Sequence, residues 1–233
     1  MPGMKHEANQ SAIAGGTFLS EPIPSDVLSL TFTDADGKKF TLGSLKGKYV
    51  VFANFLTSCQ EICPMTTANL RDVGDAVAAS ALKDKVVVLD LSVDGLRDTP
   101  SRMRKYLDLY ESKNFNAASS DVASLAAFWK YFGAPATKEE FSAEDASKMP
   151  VDWMTGKPND YDMMHSDVVA IVDDKSNWVW LDLGYPQVGS EIPAKMKAFL
   201  SEQGLKNLKK PEGVTWDTKA VLGALSQLTG AKL

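Results

Sequence analysis

The only two cysteines of the chain lie close together, in the stretch FLTSCQEICPMTT that spans residues 55–67. Three residues separate Cys59 from Cys63, which corresponds to about 6 Å of rise along a helix. This separation is compatible with a disulfide, whose Cα atoms usually lie about 4.4–6.8 Å apart, and with two thiolates that share one metal ion. The spacing therefore leaves three alternatives open: a structural bridge, a redox pair or a metal site.

The residues on either side of the pair predict a strand before it and a helix after it. Residues 49–56 read YVVFANFL, a near-continuous apolar run that is typical of a central strand buried on both faces. Pro64 is tolerated at the first position of a helix, and apolar residues recur at helical spacing beyond it. We therefore expect Cys59 in a strand-to-helix loop and Cys63 at the start of the helix, where the helix dipole favours a thiolate.

The two thiols need a third partner if they are to hold a metal. A structural disulfide would add little stability, because the loop that it closes is very short. Of the two histidines, His6 lies in an expected linker, whereas His165 directly precedes a predicted strand that should pair beside the cysteine strand. Two thiolates and one imidazole suit copper or zinc. Copper(I) prefers the thiolates, and imidazole helps such a site to accept copper(II).

The order of the predicted elements indicates the fold. The expected elements are an N-terminal hairpin (Leu28–Thr33 with Phe40–Leu42), the cysteine strand and helix, a strand at Val86–Val93, helices after Thr99 and over 121–132, a polar loop over about 137–164, a hairpin at the end of the sheet (168–172 with 178–181), a helix over Pro193–Leu200 ended by Gly204, and a helix over Thr218–Leu228. This order predicts an α/β thioredoxin-like sandwich, with a mixed central sheet flanked by helices. Sites in such folds gather at the carboxyl ends of the strands, where the cysteines fall.

Composition limits the partners and the domain organisation. The formal charge of −5 and the pI near 5.1 argue against nucleic acid, and no stretch approaches the length of a membrane span. We expect residues 1–26 to be a linker or a segment introduced by cloning, from which a membrane anchor has been lost. Residues 27–204 are expected to form the working domain, and residues 205–233 a C-terminal extension with some helix.

Five segments together resemble the Sco/SenC family of copper proteins. Cys59-Gln60-Glu61-Ile62-Cys63-Pro64 is similar to the CxxxCP motif of that family. The other matching segments are GKYVVFANFLTSC, LSVDGLRDTPSRMRKYL (91–107), ASLAAFWKYFG and MMHSDVVAIVDDKSNWVWL. The resemblance covers roughly residues 27–203, and it implies a thioredoxin-like fold in which Cys59, Cys63 and His165 bind copper, as Cu(I) or Cu(II).

The resemblance also implies a function and a location. Members of the family deliver copper to the binuclear copper centre of cytochrome c oxidase, or reduce the cysteines of that centre. The expected partners are therefore the copper-binding subunit of the oxidase and another copper chaperone. The expected location is extracytoplasmic, periplasmic or on the outer face of the cytoplasmic membrane, with a membrane anchor. A chaperone is expected rather than an enzyme with turnover.

The sequence departs from the family at two positions, and it leaves a second function open. Met164 stands where the family often has an acidic residue before the histidine, and Gly95 replaces the proline of SVDP. Thioethers near His165 (Met149, Met154, Met163 and Met164) are either soft copper(I) ligands or packing residues. The alternative function is a thiol–disulfide oxidoreductase in which Cys59 attacks a partner disulfide and Cys63 resolves the product. A peroxidase is less favoured, because no proline-led motif precedes Cys59.

Overall fold

A mixed eight-stranded sheet forms the centre of the computed structural model, which describes residues 15–142 and 150–233. The strands of this sheet and of two small sheets, β7 with β8 and β11 with β12, are β1 (Thr17–Pro22), β2 (Thr31–Asp34), β3 (Lys39–Thr41), β4 (Tyr49–Phe55), β5 (Val86–Ser92), β6 (Asn116–Ser119), β7 (Thr137–Glu140), β8 (Tyr161–Met164), β9 (Val168–Val172), β10 (Asn177–Leu183), β11 (Tyr185–Pro186) and β12 (Val214–Trp216). The helices are α1 (Ser25–Leu28), α2 (Cys63–Ala78), α3 (Pro100–Leu107), α4 (Val122–Tyr131), α5 (Ala194–Phe199), α6 (Glu202–Lys209) and α7 (Thr218–Thr229), with 3-10 turns at Leu42–Leu45 and Asp108–Tyr110.

The order of strands in the sheet places the cysteine strand near its middle. The order is β1-β10-β9-β4-β5-β6-β2-β3, with β4, β5 and β6 parallel and β9 antiparallel to β4. Val51, Phe52 and Ala53 on β4 are completely buried, because helices and side chains cover both faces of this strand. The near-continuous apolar run therefore has the burial that it predicted.

The predicted α/β architecture is confirmed, and most of its elements fall within two residues of their expected positions. The β2–β3 hairpin, β4, β5, β9 and β10 all form, and Cys63 is the first residue of α2. The helix expected at Thr99-Pro100 begins there as α3, with the Thr99 side chain accepting a hydrogen bond from the Arg102 N–H. No helix in the described part of the chain is both long and apolar enough to cross a membrane.

Three local expectations are corrected by the structure, and one strand was not expected. Residues 17–22, assigned to a linker, form strand β1, in which Phe18 pairs with Trp180. The β9–β10 hairpin is therefore not at the end of the sheet, since β1 lies outside it. The polar loop over about 137–164 contains the β7–β8 hairpin, and strand β6 was not expected at all. These strands are short or largely exposed, so their hydrophobic pattern is weak.

The C-terminal part of the chain differs from expectation at Gly204. The closing helix ends at Phe199, and a new helix, α6, begins after Ser201, so Gly204 lies inside a helix and does not end one. The expected terminal helix is α7, which packs against α2. Val221, Ala224 and Leu225 of α7 are completely buried in the hydrophobic core that also contains β4.

Asp90 on β5 is a fully buried carboxyl group in the sheet. Burial raises the pKa of Asp90 to about 8, with the Thr67 hydroxyl acting against this effect and the charge of Asp98 adding to it. An aspartate in the unfolded chain ionises near pH 4, with a pKa of about 3.9. Between about pH 4 and pH 8 the folded protein therefore retains a proton that the unfolded chain releases, so the contribution of this group to stability is lost as pH rises through that window.

The unfolding free energy of the wild-type protein is expected to fall between pH 5 and pH 8. In the Asp90→Asn variant this fall is expected to be smaller. Asparagine has nearly the same shape and no proton to release, so its burial costs the same at both pH values. The measurement is the free energy of unfolding by urea at the two pH values. Asp84→Asn, at an exposed aspartate, is the control and should keep the wild-type pH dependence. An unchanged pH dependence in Asp90→Asn would contradict the prediction.

Candidate functional site

The two cysteines lie where β4 leads into α2, at the carboxyl end of the central strand. Both are free thiols; Cys59 is half-buried in the loop, and Cys63 is completely buried. The Cys59 Sγ faces three backbone N–H groups, those of Glu61, Ile62 and Cys63, at 3.5, 3.5 and 3.4 Å. The Ile62 and Cys63 N–H groups, at the N-cap and the first position of α2, have no acceptor inside the helix, and the Glu61 N–H lies in the loop just before it.

The same geometry makes the two thiols chemically different. A hydrogen bond from the Cys63 thiol, together with the three backbone N–H groups, lowers the pKa of Cys59 despite its burial. Burial raises the pKa of Cys63 well above its ordinary value, and the hydrogen bond to Cys59 and the charges of Cys59 and Asp167 act in the same direction. Cys59 is therefore the thiol that ionises first, and Cys63 is held as a proton donor to it.

His165 lies at the same end of the sheet as the cysteines. Strand β9 runs antiparallel to β4, with Ala53 opposite Val169, so the residues just before β9 reach the edge where β4 ends. The His165 side chain is only 6% exposed, and burial lowers its pKa, against the effects of the Ser166 carbonyl and of Asp162. A histidine in this environment stays neutral near pH 7, which is the form that binds metals.

Asn54 fixes the position of His165, and sequence reasoning missed this residue. Its Oδ1 accepts a hydrogen bond from the Val168 N–H at 3.0 Å, which orients the amide. Its Nδ2 then donates to the Ser166 carbonyl at 2.6 Å and lies 3.1 Å from the His165 Nδ1. Asn54 is a polar residue inside the apolar run of β4, and this interruption is the signal that could have identified it.

Asp167 connects the histidine side of the site with the cysteine side. Its carboxylate lies 3.9 Å from the His165 Nδ1, and its charge acts on Cys63. Burial raises the pKa of Asp167 to about 7, and Glu61 adds to this effect. Within residues 15–142 and 150–233, however, no three His, Cys, Asp or Glu side chains are gathered closely enough to hold a metal ion as they stand. The predicted site residues thus share one edge of the sheet without forming a finished metal site.

Comparison with known proteins identifies the family. The SCO1/SenC family model matches residues 27–200, which is most of the chain and includes both cysteines and His165. The chain belongs to the SCO1/SenC family. A relative in Bacillus subtilis (strain 168), an SCO1 protein homologue, is 35% identical over 97 residues, which make up 41% of this chain and 49% of that protein. This SCO1/SenC chain therefore aligns with about half the length of that curated relative.

Solved structures agree with the family and with the fold. Bradyrhizobium japonicum ScoI with copper bound is 26% identical, with a TM-score of 0.53, and the match covers 73% of this chain and 97% of that chain. BsSco, described as a member of the Sco family of cytochrome c oxidase assembly proteins with a disulfide switch, is 21% identical, with a TM-score of 0.52 and coverage of 78% and 93%. This SCO1/SenC chain therefore has the predicted thioredoxin-like fold.

The RDTP segment of this SCO1/SenC chain supports the loop that carries Cys59. Asp98 is buried and accepts hydrogen bonds from the Thr57 hydroxyl at 2.5 Å and from the Ser92 hydroxyl at 2.6 Å. Arg102 donates to the Thr57 hydroxyl and forms a buried ion pair with Asp152. Asp98 thus lies beneath Thr57, the residue two positions before Cys59.

The methionines of this SCO1/SenC chain are placed in two ways. Met163 packs against the hydrophobic core, in agreement with a packing role, whereas Met154 and Met164 are exposed. Met149 and His6 lie outside the described residues. Met154 lies between β7 and β8, and Met164 is the last residue of β8, directly before His165.

Proposed function

We propose that this SCO1/SenC protein binds copper through Cys59, Cys63 and His165. The arrangement that carries the proposal is the placement of both thiols and a neutral imidazole at the same edge of the sheet. The donor set fits copper, because thiolates are soft ligands that prefer Cu(I) and imidazole suits Cu(II) as well. The Cys59 Sγ already faces three N–H groups that stabilise negative charge on sulfur.

The approach of His165 completes the site in this proposal. The Ser166 carbonyl lies 3.2 Å from the His165 Nδ1 and can accept its proton, which leaves Nε2 to bind the metal, as in sites where a second partner holds the other nitrogen of a ligand histidine. Because the three side chains are not gathered in advance, copper binding draws the His165 segment and the cysteine loop together. In this proposal the site is therefore open before copper binds, which allows a carrier to load and unload its cargo.

The copper is destined, in this proposal, for the binuclear centre of cytochrome c oxidase. The support is membership of the family, together with the description of BsSco as one of the Sco family of oxidase assembly proteins and the copper bound to Bradyrhizobium ScoI. The copper-binding subunit of the oxidase is the recipient, and another copper chaperone is the donor. In this proposal the protein is membrane-anchored and delivers copper outside the cytoplasm, as the family resemblance implies.

The test of the proposal is titration of the reduced protein with Cu(I) and, separately, with Cu(II). One copper per chain is expected in each titration, with an absorption band from thiolate-to-copper charge transfer in the Cu(II) form. A protein that binds no copper, or binds it equally well after both cysteines are alkylated, would refute the proposal.

A second function, thiol–disulfide exchange, is favoured by the difference between the two thiols. The Cys59 thiolate attacks one sulfur of a partner disulfide and expels the other as a thiolate. Cys63 then attacks the Cys59 sulfur, which releases the second partner sulfur and leaves a Cys59–Cys63 disulfide. The partner gains two electrons, and the protein loses two. The half-buried Cys59 is the accessible member of the pair, as this order requires.

Iodoacetamide is expected to alkylate Cys59 at least tenfold faster than Cys63 at pH 7. The thiolate is the reactive form, and both exposure and a lowered pKa favour it at Cys59. The rates are measured by mass spectrometry on the reduced protein and on Cys59→Ser and Cys63→Ser, where each remaining thiol reacts alone. Equal rates, or faster reaction at Cys63, would reverse the assignment of the attacking residue.

A further inference from the structure

The backbone of the loop between the cysteines is held by the segment that follows α5. The Gln60 carbonyl accepts a hydrogen bond from the Ser201 N–H at 3.0 Å. The side chain of Gln60 donates in turn to the Val151 carbonyl at 3.2 Å. Gln60 therefore has long-range partners at both its backbone and its side chain, although it lies in a short loop beside a reactive thiol.

Gly204 allows this contact, because only a residue without a side chain fits there. A Cβ atom at this position would lie 2.1 Å from the Gln60 carbonyl oxygen and 3.1 Å from the Leu200 side chain. Glycine inside a helix costs about 0.5–1 kcal/mol relative to alanine, and Gly204 lies in the first turn of α6. The Ser201 hydroxyl accepts a hydrogen bond from the Gly204 N–H at 3.0 Å. The segment from Ser201 to Gly204 therefore both begins α6 and contacts the loop between the cysteines.

The segment from Ser201 to Gly204, which we call the clamp, lies beyond residues 27–200, the range that matches the family model. The chain that follows it is anchored to the other side of the cysteine site. The Thr218 hydroxyl donates to the Asn69 Oδ1 on α2 at 3.1 Å, and Asn69 donates to the Gln187 carbonyl at 3.1 Å. The C-terminal part of the chain thus contacts both the loop that carries Cys59 and the helix that begins with Cys63.

We infer that the clamp is a positioning device that holds the Cys59–Cys63 loop in its dithiol form and so sets the redox equilibrium of the pair. The inference deepens the proposed function and rests on it in one respect, that Cys59 and Cys63 are the working pair. The clamp touches neither sulfur; it acts through the carbonyl of Gln60.

The direction of the effect follows from the geometry of the loop. In the dithiol the Cys59 Sγ points at the N–H groups of residues 61–63. A disulfide places the two sulfurs about 2.05 Å apart and the two Cβ atoms about 3.8 Å apart, closer than the hydrogen bond that joins the two thiols here, so its formation requires a shift of the loop that carries Cys59. Contacts that fix Gln60 in the dithiol geometry oppose this shift. Release of the clamp therefore favours the disulfide.

The Ser201→Pro variant removes the N–H that donates to the Gln60 carbonyl, with little change to the local backbone. Ser201 has φ −66° and Leu200 has ψ 140°, values that a proline and the residue before it adopt without strain. Ser201→Ala is the matched comparison, because it loses the same hydroxyl but keeps the N–H. The metal-free proteins are equilibrated in glutathione buffers, in which the protein dithiol and glutathione disulfide give the protein disulfide and two glutathione thiols.

We expect the equilibrium constant for disulfide formation to be about tenfold larger in Ser201→Pro than in Ser201→Ala. This difference corresponds to a midpoint potential about 30 mV more negative. Gly204→Ala is expected to shift in the same direction, and Gly189→Ala, where a Cβ atom meets nothing within 4 Å, is expected to match wild type. Equilibrium constants for disulfide formation in the two clamp variants that lie within twofold of their comparisons, or that shift the opposite way, would overturn the inference. If one clamp variant does not fold, the other decides; if neither folds, the clamp is structural and the inference fails. Because no copper is present, these outcomes are independent of the copper titrations.

Discussion

Replacement of Cys63 by serine is expected to abolish tight copper binding, and Cys59→Ser is expected to do the same. A serine hydroxyl is not ionised at neutral pH and is a hard ligand, so neither variant retains two soft donors. His165→Ala is expected to bind Cu(II) at least tenfold more weakly, since the imidazole is the ligand that accommodates this oxidation state. Cu(I) binding should fall less, because the two thiolates remain.

The titrations of the three variants are compared with His6→Ala, which removes the other histidine of the sequence and should bind copper as wild type does. The measurements are the copper-to-protein ratio and the thiolate-to-copper(II) absorption. That absorption should vanish in the cysteine variants and shift in His165→Ala. Unchanged affinity and spectrum in His165→Ala would remove His165 from the site and leave a site built on the two thiols.

The Arg102→Met variant is expected to lose about 3–5 kcal/mol of unfolding free energy, the usual result of breaking a buried ion pair. The side chains of Arg102 and Asp152 are both more than nine-tenths buried, and Arg102 also donates to the Thr57 hydroxyl. Methionine approximates the volume of the arginine stem, so the loss comes mainly from the Asp152 carboxylate left buried without its partner.

The measurement for Arg102→Met is urea denaturation, with Arg104→Met as the control. Arg104 lies on the same helix, and its ion pairs with Asp36 and Asp108 are partly exposed to water. Such pairs contribute about 0.2–1 kcal/mol, so the control should lose little. Equal losses in the two variants would show that burial of the Arg102–Asp152 pair does not matter for stability.

Sequence reasoning located the elements that have a strong local pattern. The apolar run of β4 predicted a central strand because burial on both faces leaves few polar residues in it. Cys63 was placed at the start of α2 by Pro64, whose ring is compatible only with the first turn. The strands β1 and β6 were missed because β1 is largely exposed, β6 has only four residues, and the partners of both are supplied by distant parts of the chain.

In the candidate site, too, some residues could be named from the sequence and others could not. Cys59, Cys63 and His165 could be named from the sequence because the chain has so few cysteines and histidines, and because the alternating order of strands and helices brings their segments to one edge of the sheet. The residues that support them could not be named. Asn54 meets His165 across 111 positions, and Gln60 meets Ser201 and Gly204 from the far end of the chain.

The sequence by itself therefore predicted which residues can do the chemistry, and it determined most of the elements in which they lie. Local patterns do so because the period of buried residues and the backbone limits of proline act over a few positions. Only the tertiary structure decided that Cys59 is the thiol with the lowered pKa, that Asn54 holds His165, and that the C-terminal segment grips the cysteine loop. These features depend on which buried polar groups meet when distant segments pack, and no local pattern records that.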